Sequence, residues 1–251
     1  MRALRPLGTV LGLLLFWQLA VWLTGVPPYI LPGPLAVGQA LVGRASLLAG
    51  HAGITLTEIL LGFVLGSLAG ALAALLLVAS RRARRWLMPV LVMSQALPVF
   101  ALAPLLVLWL GFGLGSKITM AVLIIFFPVT LTFFDGLRRT ETGWLELARV
   151  MGAGPGAMLW QIRLPASLPA LGSGLRVAAA VAPIGAVVGE WVGSSGGLGF
   201  LMLHANARMQ VDLMFAALAI LAVMAIGLWW TVDRVMATVV RWQPDTYQNP
   251  R

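Results

Sequence analysis

The chain has no cysteine and little charge, and each shortage excludes classes of protein. Without cysteine it has no disulfide framework, no thiolate metal site and no cysteine nucleophile. Only 10% of its 251 residues are charged, against about 25% in a soluble domain, while 60% are hydrophobic. A soluble globular domain and a disordered chain are therefore both excluded. The apolar sequence is sufficient for several bilayer helices, each of which needs about 20 residues.

Six apolar stretches are long enough to cross a membrane. They cover approximately residues 7–24, 54–79, 86–110, 118–135, 168–192 and 213–233. Proline and glycine inside a stretch do not exclude a membrane helix, because packed neighbours satisfy the freed backbone groups. The sequence therefore predicts an all-α, polytopic membrane protein with six transmembrane helices, forming a single domain over residues 1–251.

Basic residues divide unevenly between the two sides of this predicted domain. With the N-terminus inside, only Arg44, Lys117 and Arg208 of the 17 basic residues fall outside. The positive-inside rule then places both termini in the cytoplasm, and topology rather than nucleic-acid binding explains the net charge of +9. A cleaved signal peptide is the alternative for the first stretch, but the sequence after it lacks a small-residue cleavage site.

Residues 136–167, between the fourth and fifth spans, form an inner loop with helical periodicity. Its apolar side chains recur at helical spacing at Trp144, Leu147, Ala148 and Met151. Gly152 is predicted to stop this short helix, Pro155 to begin a second one and Pro165 to end it. Short helices with an apolar stripe indicate an element that lies on the membrane surface or docks a soluble partner.

The same loop resembles the EAA motif of bacterial ABC importer permeases. That motif reads E-A-A, three residues, G, nine residues, I-x-L-P. The chain has Glu146-Leu147-Ala148, then Gly152, then Ile162-Arg163-Leu164-Pro165, and departs from the family at Leu147, where alanine is usual. Strings at 31–34 and 189–199 resemble the permeases for nitrate, sulfonates, taurine and thiamine-pyrimidine precursors. Those at 57–63, 94–98 and 127–128 look most like the pyrimidine-precursor branch.

This resemblance implies the type I ABC importer permease fold, with cytoplasmic coupling helices, in the bacterial inner membrane. It implies two ABC ATPase subunits that bind ATP and Mg, an extracytoplasmic binding protein and a second permease copy, with a homodimer as the default. The chain itself would be a transport subunit without catalytic residues, cofactor or metal. The residues implied in ATPase coupling are Trp144, Glu146, Leu147, Ala148, Arg149, Met151, Gly152, Ile162, Leu164 and Pro165. For Arg149, which the motif does not specify, solvation of the loop is an equal alternative.

Two acidic residues fall inside predicted spans, where ionisable groups are costly and point to function. Glu58 either lines the substrate path or snorkels outward, and Glu190 either lines it or pairs with Arg208. The candidate substrate path consists of Glu58, Ser94, Gln95, Pro98, Phe100, Glu190 and Trp191. Two acids would favour a neutral or weakly basic heterocycle, such as a pyrimidine precursor, over sulfonate, taurine, nitrate or bicarbonate. Gln95 can equally form an interhelical hydrogen bond, and Trp191 an interfacial anchor.

Other classes of function have less support. A polytopic membrane enzyme would need a cluster of catalytic or metal-binding residues at one depth, and none is visible. The glycine-rich segment 194–199 lacks the lysine of a P-loop and reads as an outer turn. His51 and His204 are expected to be exposed in outer loops. A channel acting alone would not need the long inner loop.

Overall fold

The computed structural model describes residues 4–242, and every regular element in that range is a helix. In chain order the elements are α1 (Leu4–Thr24), α2 (Pro34–Gly43), α3 (Ala45–Ala79), α4 (Arg81–Ala96), α5 (Val99–Leu110), α6 (Leu114–Arg138), α7 (Thr142–Val150), α8 (Pro155–Ala157), a π-helical turn (Met158–Arg163), α9 (Leu164–Gly193), α10 (Leu198–Ala207) and α11 (Val211–Val239). The predicted all-α fold is confirmed. The first three and last nine residues of the predicted domain lie outside the described part of the chain, as do both termini.

Four helices are long and apolar enough to cross a membrane, namely α3, α6, the continuous helix Pro155–Gly193 and α11. The predicted third span, 86–110, is instead bent by 103° between α4 and α5, and it makes a fifth span only if the bent pair crosses as one. Proline causes the break, because Pro98 disfavours a helical conformation at Leu97, which is extended (φ −80°, ψ 123°). The apolar part of α1, Gly8–Thr24, is at the lower limit of spanning length. The described residues therefore support four of the six predicted spans, or five if the bent pair crosses as one.

The core is built around α6, which lies between α3 and α9. Glycines make both contacts close: a Cβ on Gly66 of α3 would lie 2.8 Å from Ile125, and one on Gly185 of α9 would lie 2.6 Å from the Ala121 Cα. On its other side Ala121 meets Gly62 of α3. The order of these contacts along the chain shows that α3 and α6 are parallel and that α6 and α9 are antiparallel. Small residues at such contacts let membrane helices approach closely.

Replacing Gly185 with valine is expected to lower the free energy of unfolding by about 1–3 kcal/mol, because the new side chain would overlap the α6 backbone at Ala121. Gly227→Val in α11 is the matched control, since nothing lies within 4 Å of a Cβ there. Thermal unfolding of the two detergent-purified variants measures the difference. Equal unfolding temperatures would contradict the close packing of α6 against α9.

The loop 136–167 folds partly as predicted. α7 ends before Gly152, whose φ of +83° requires the conformation that glycine adopts readily. The prediction that Pro165 ends the second helix is wrong, because the helix that starts at Pro155 continues to Gly193. Pro165 has no amide hydrogen to donate to the preceding turn of the helix. That turn, Met158–Arg163, is π-helical, so the hydrogen-bond pattern changes there and the helix continues.

Candidate functional site

Large apolar side chains are exposed on and next to α7. Trp144, Leu147 and Met151 are 53%, 62% and 78% exposed, whereas Leu145 and Ala148 are buried against the rest of the protein. The predicted stripe is therefore divided, with Ala148 anchoring the helix and the three large side chains left uncovered. Large apolar side chains exposed together at one end of a protein are typical of a docking surface.

A groove of about 720 Å³ lies between α7 and the start of α9, and we call it the α7 groove. Its walls include Trp144, Leu147, Met151, Ile162, Pro165 and Trp242. Residues from both halves of the sequence motif, which nine residues separate, thus line one space. Leu164 instead packs into the core beside α3 and α6. Trp242 follows the last helix and was missed, because a tryptophan at the end of a span reads as a membrane anchor.

Two charged residues of the predicted coupling set lie on α7 but do not line this groove. Glu146 and Arg149 are both exposed, and neither forms an ion pair within residues 4–242. Their side chains therefore contribute no ion pair that would hold α7 in place, and they are free to contact a partner. The coupling role of this set stays a prediction.

Glu58 does not snorkel to the surface. Its side chain is fully buried in the middle of α3, and its Oε1 lies 3.2 Å from Nζ of Lys117, which is itself nearly buried. Lys117, which the count of basic residues assigns to the outer side, is buried because the first turn of α6 packs between α3 and α9. A buried carboxylate is tolerable when it is paired, and Lys117 supplies the pairing charge.

Glu190 caps α10 rather than pairing with Arg208. Its Oε1 accepts a hydrogen bond from Thr55 Oγ1 at 2.6 Å, and its Oε2 accepts from the backbone amides of Gly199 and Phe200. The amide of Leu198 donates to Thr55 Oγ1 at 2.7 Å. A carboxylate at a helix N-terminus satisfies amides that have no partner inside the helix and favours the positive end of the helix dipole.

His51 completes this cap, so that sequence reasoning was wrong to place it exposed in an outer loop. Its Nδ1 accepts a hydrogen bond from the amide of Gly197 at 3.0 Å. His51, Thr55 and Glu58 lie on one face of α3, because they are spaced four and three residues apart. That spacing was the available signal, but only the fold shows that the face meets Glu190 and α10. His204 is exposed, as expected.

The remaining predicted substrate-path residues are exposed, unlike the two buried acids. Ser94, Gln95, Pro98 and Phe100 surround the break between α4 and α5 and are exposed. Trp191 is half exposed in the last turn of α9. Glu58 and Glu190 are enclosed and engaged with other protein groups. The part of these seven residues in a substrate path remains a prediction.

Membrane-length helices packed through glycines, with an apolar docking surface at one end, define an integral membrane protein that works with other subunits. Residues 45–243 match the family described as "Binding-protein-dependent transport system inner membrane component", and the chain belongs to this family. It is a permease subunit of the ABC importer type, a multi-pass membrane protein, as the resemblance implied.

Full-length relatives carry several substrate names. A Haemophilus influenzae protein named as an ABC transporter permease is 57% identical, covering 92% of this chain and 95% of the relative. The formylaminopyrimidine transport permease ThiX of Halalkalibacterium halodurans is 34% identical (96% and 97%). The riboflavin transport permease RibX of Chloroflexus aurantiacus is 38% identical (94% and 88%). Permeases named for aliphatic sulfonates and for taurine also match.

Among solved structures, the chain is similar to one of the inward-facing MetNI methionine ABC transporter. The TM-score is 0.63 at 22% sequence identity, covering 78% of this chain and 98% of that one. At this identity the likeness shows the fold alone, and that fold is the type I importer permease fold predicted from the motif.

Proposed function

We propose that this chain forms the membrane pathway of an ATP-driven importer that takes a small solute from an extracytoplasmic binding protein. The observation that carries the proposal is α7, whose uncovered apolar side chains line the α7 groove while the motif glutamate is exposed on the same helix. Such a surface suits a cytoplasmic ATPase subunit, because exposed large apolar side chains supply most of the energy of a protein interface. ATP and Mg would bind to that partner.

The proposed orientation puts the α7 end of the molecule in the cytoplasm and the α10 end outside. The basic residues support it, since Arg81, Arg82, Arg84, Arg85, Arg138 and Arg139 all flank the α7 end. Two permease copies and two ATPase subunits would form the complex, with a homodimer as the simplest assembly. Closure of the ATPase pair would then displace α7. The continuous helix Pro155–Gly193, which follows α7 in the chain, would carry this displacement to the core beside α6.

For the solute we propose a neutral or weakly basic heterocycle of the pyrimidine-precursor type. The names of two full-length relatives support this class, since formylaminopyrimidine and riboflavin both contain a pyrimidine ring. The two acids, which would favour such a solute if they were free to bind it, give less support, because Glu58 is paired with Lys117 and Glu190 caps α10. The exposed amide and aromatic side chains of Gln95 and Phe100 beside the α4–α5 break remain able to bond to and stack on such a ring. A sulfonate is the second candidate, supported by the sulfonate and taurine relatives.

Uptake into proteoliposomes that contain the permease, its ATPase and its binding protein tests this proposal. We expect ATP-dependent accumulation of labelled formylaminopyrimidine, and less accumulation when Gln95 is replaced by leucine. Thr119→Leu on the exposed side of α6 is the control, because its hydroxyl bonds only within its own helix. Accumulation of taurine or an alkanesulfonate instead would select the second candidate. ATP-independent flux of any of these solutes would contradict an importer.

A further inference from the structure

A second groove, at the opposite end of the molecule from α7, gathers basic side chains that are distant in sequence. This α10 groove has a volume of about 310 Å³ and is lined by Arg44, His51, Phe200, His204, Arg208 and Gln210, among others. Arg44 lies between α2 and α3, and Arg208 lies between α10 and α11. The groove thus collects residues from both connections at that end.

Hydrogen bonds and ring contacts hold the walls of the α10 groove in place. Arg44 Nη1 donates to Gln210 Oε1 at 3.0 Å, and His204 Nδ1 lies 2.9 Å from the carbonyl oxygen of Phe200. The Phe200 ring stands between the two histidine rings, with centroids 6.0 Å from His51 and 3.9 Å from His204. A side chain entering this space would meet preformed walls rather than mobile loops.

The α10 groove has uncompensated positive charge. No acidic residue is among its lining residues, and neither Arg44 nor Arg208 forms an ion pair within residues 4–242. Asp212, the acid nearest to Arg208 along the chain, forms no ion pair with either arginine. Of the three basic residues that the sequence places outside, Lys117 lies beside Glu58 in the core, and the other two line this groove. The groove therefore attracts an anion.

We propose that the α10 groove receives an acidic side chain of the extracytoplasmic binding protein. This inference rests on the proposed function. The groove is open at the outer end of the proposed orientation, where that protein would arrive. Two arginines forming part of a cavity of this size match a carboxylate, which accepts several hydrogen bonds from guanidinium groups. A neutral heterocyclic solute has no comparable charge to place there.

The position of the α10 groove also connects docking to the membrane core. Phe200 belongs to the groove wall, and its amide is held by Glu190. His51 lines the groove and bonds to the amide of Gly197 at the start of α10. A carboxylate drawn toward Arg208 would therefore act on α10, whose N-terminus is fixed to α3 through Thr55 and to α9 through Glu190.

The test measures the Kd of the binding protein for the permease–ATPase complex in nanodiscs made of phosphatidylcholine alone. We expect Arg208→Glu to raise Kd about tenfold or more at low ionic strength, because it places like charges together, and we expect salt to reduce this difference. The double change Arg44→Gln with Arg208→Gln should weaken binding less. Arg85→Glu, at the other end of the molecule, is the matched control and should leave Kd unchanged. Retention of the ATPase subunit by each variant during purification shows that the complex is assembled.

A Kd equal to wild type for both groove variants, at low and high ionic strength, would overturn the proposal. Rescue of Arg208→Glu by a lysine in place of one acidic residue of the binding protein would support it directly. If the variants matter only in nanodiscs that contain phosphatidylglycerol, the occupant is a lipid headgroup and the proposal is wrong. If the wild-type complex binds no binding protein at all, the proposed function itself fails, which is a distinct result.

Discussion

Replacing Glu146 with arginine is expected to abolish ATP-driven uptake while the permease stays folded and inserted in the membrane. The Glu146 side chain is exposed and forms no ion pair within the described part of the chain, so its loss costs the fold little. At a docking surface the same change places a wrong charge beside Leu147. We expect a loss of about 2 kcal/mol or more in association with the ATPase, which is roughly a 30-fold weaker complex.

The measurement is co-purification of the ATPase subunit with the tagged permease, together with uptake in cells. Glu141→Arg is the matched control, because Glu141 is an exposed acid of the same loop that precedes α7 and lies outside the motif. The control should retain the ATPase and the uptake. Equal retention by both variants would mean that ATPase docking does not depend on Glu146. Loss by both would point to the net charge of the loop rather than to the motif.

Local sequence patterns predicted the parts of this molecule that depend on local physics. The short helix α7 follows from its apolar spacing, and its end follows from Gly152, whose positive φ needs glycine. Four membrane helices follow from the length of their apolar stretches alone. The prediction was wrong at Pro165, because it assumed that proline ends a helix. In the structure a π-helical turn precedes Pro165, and the helix continues past it.

Contacts between distant helices could not be predicted in the same way. Lys117 stands next to an apolar stretch and reads as an outer charge, yet Gly189 of α9 leaves room for it to reach Glu58. Both residues carry a visible charge, but nothing in a single sequence indicates that their helices run side by side. The same holds for Glu190, because its partners are backbone amides of α10, which carry no side-chain signal at all.

The buried network ties four helices together at the α10 end, although it contains few polar groups. Thr55 of α3 donates to Glu190 of α9 and accepts from Leu198 of α10, while Glu58 of α3 pairs with Lys117 of α6. Such groups are costly to bury singly; hydrogen bonds satisfy Thr55 and Glu190, whereas Glu58 is stabilised only by the charge of Lys117 beside it. The two acids that the sequence marks as functional therefore serve, in this conformation, to hold helices together at the α10 end.

Replacing Glu190 with alanine is consequently expected to lower the unfolding temperature of the permease by about 5 °C or more. The change leaves the amides of Gly199 and Phe200 without their acceptor, and each buried orphan amide costs about 1–3 kcal/mol. Glu190→Gln should lose much less. Its amide oxygen can accept from both backbone groups and its NH₂ can donate to Thr55, whose hydroxyl then turns to the carbonyl of His51 at 3.3 Å.

Thermal unfolding of the detergent-purified variants, followed by their monodisperse fraction, separates this role from substrate binding. Glu146→Ala removes a carboxylate from an exposed position and serves as the control, with an unfolding temperature near wild type. A helix cap predicts that alanine destabilises and glutamine does not. If Glu190 instead contacts substrate, both variants should unfold at the wild-type temperature and both should raise the KM for uptake. That second outcome would return Glu190 to the substrate path and would require α10 to be held by other groups during transport.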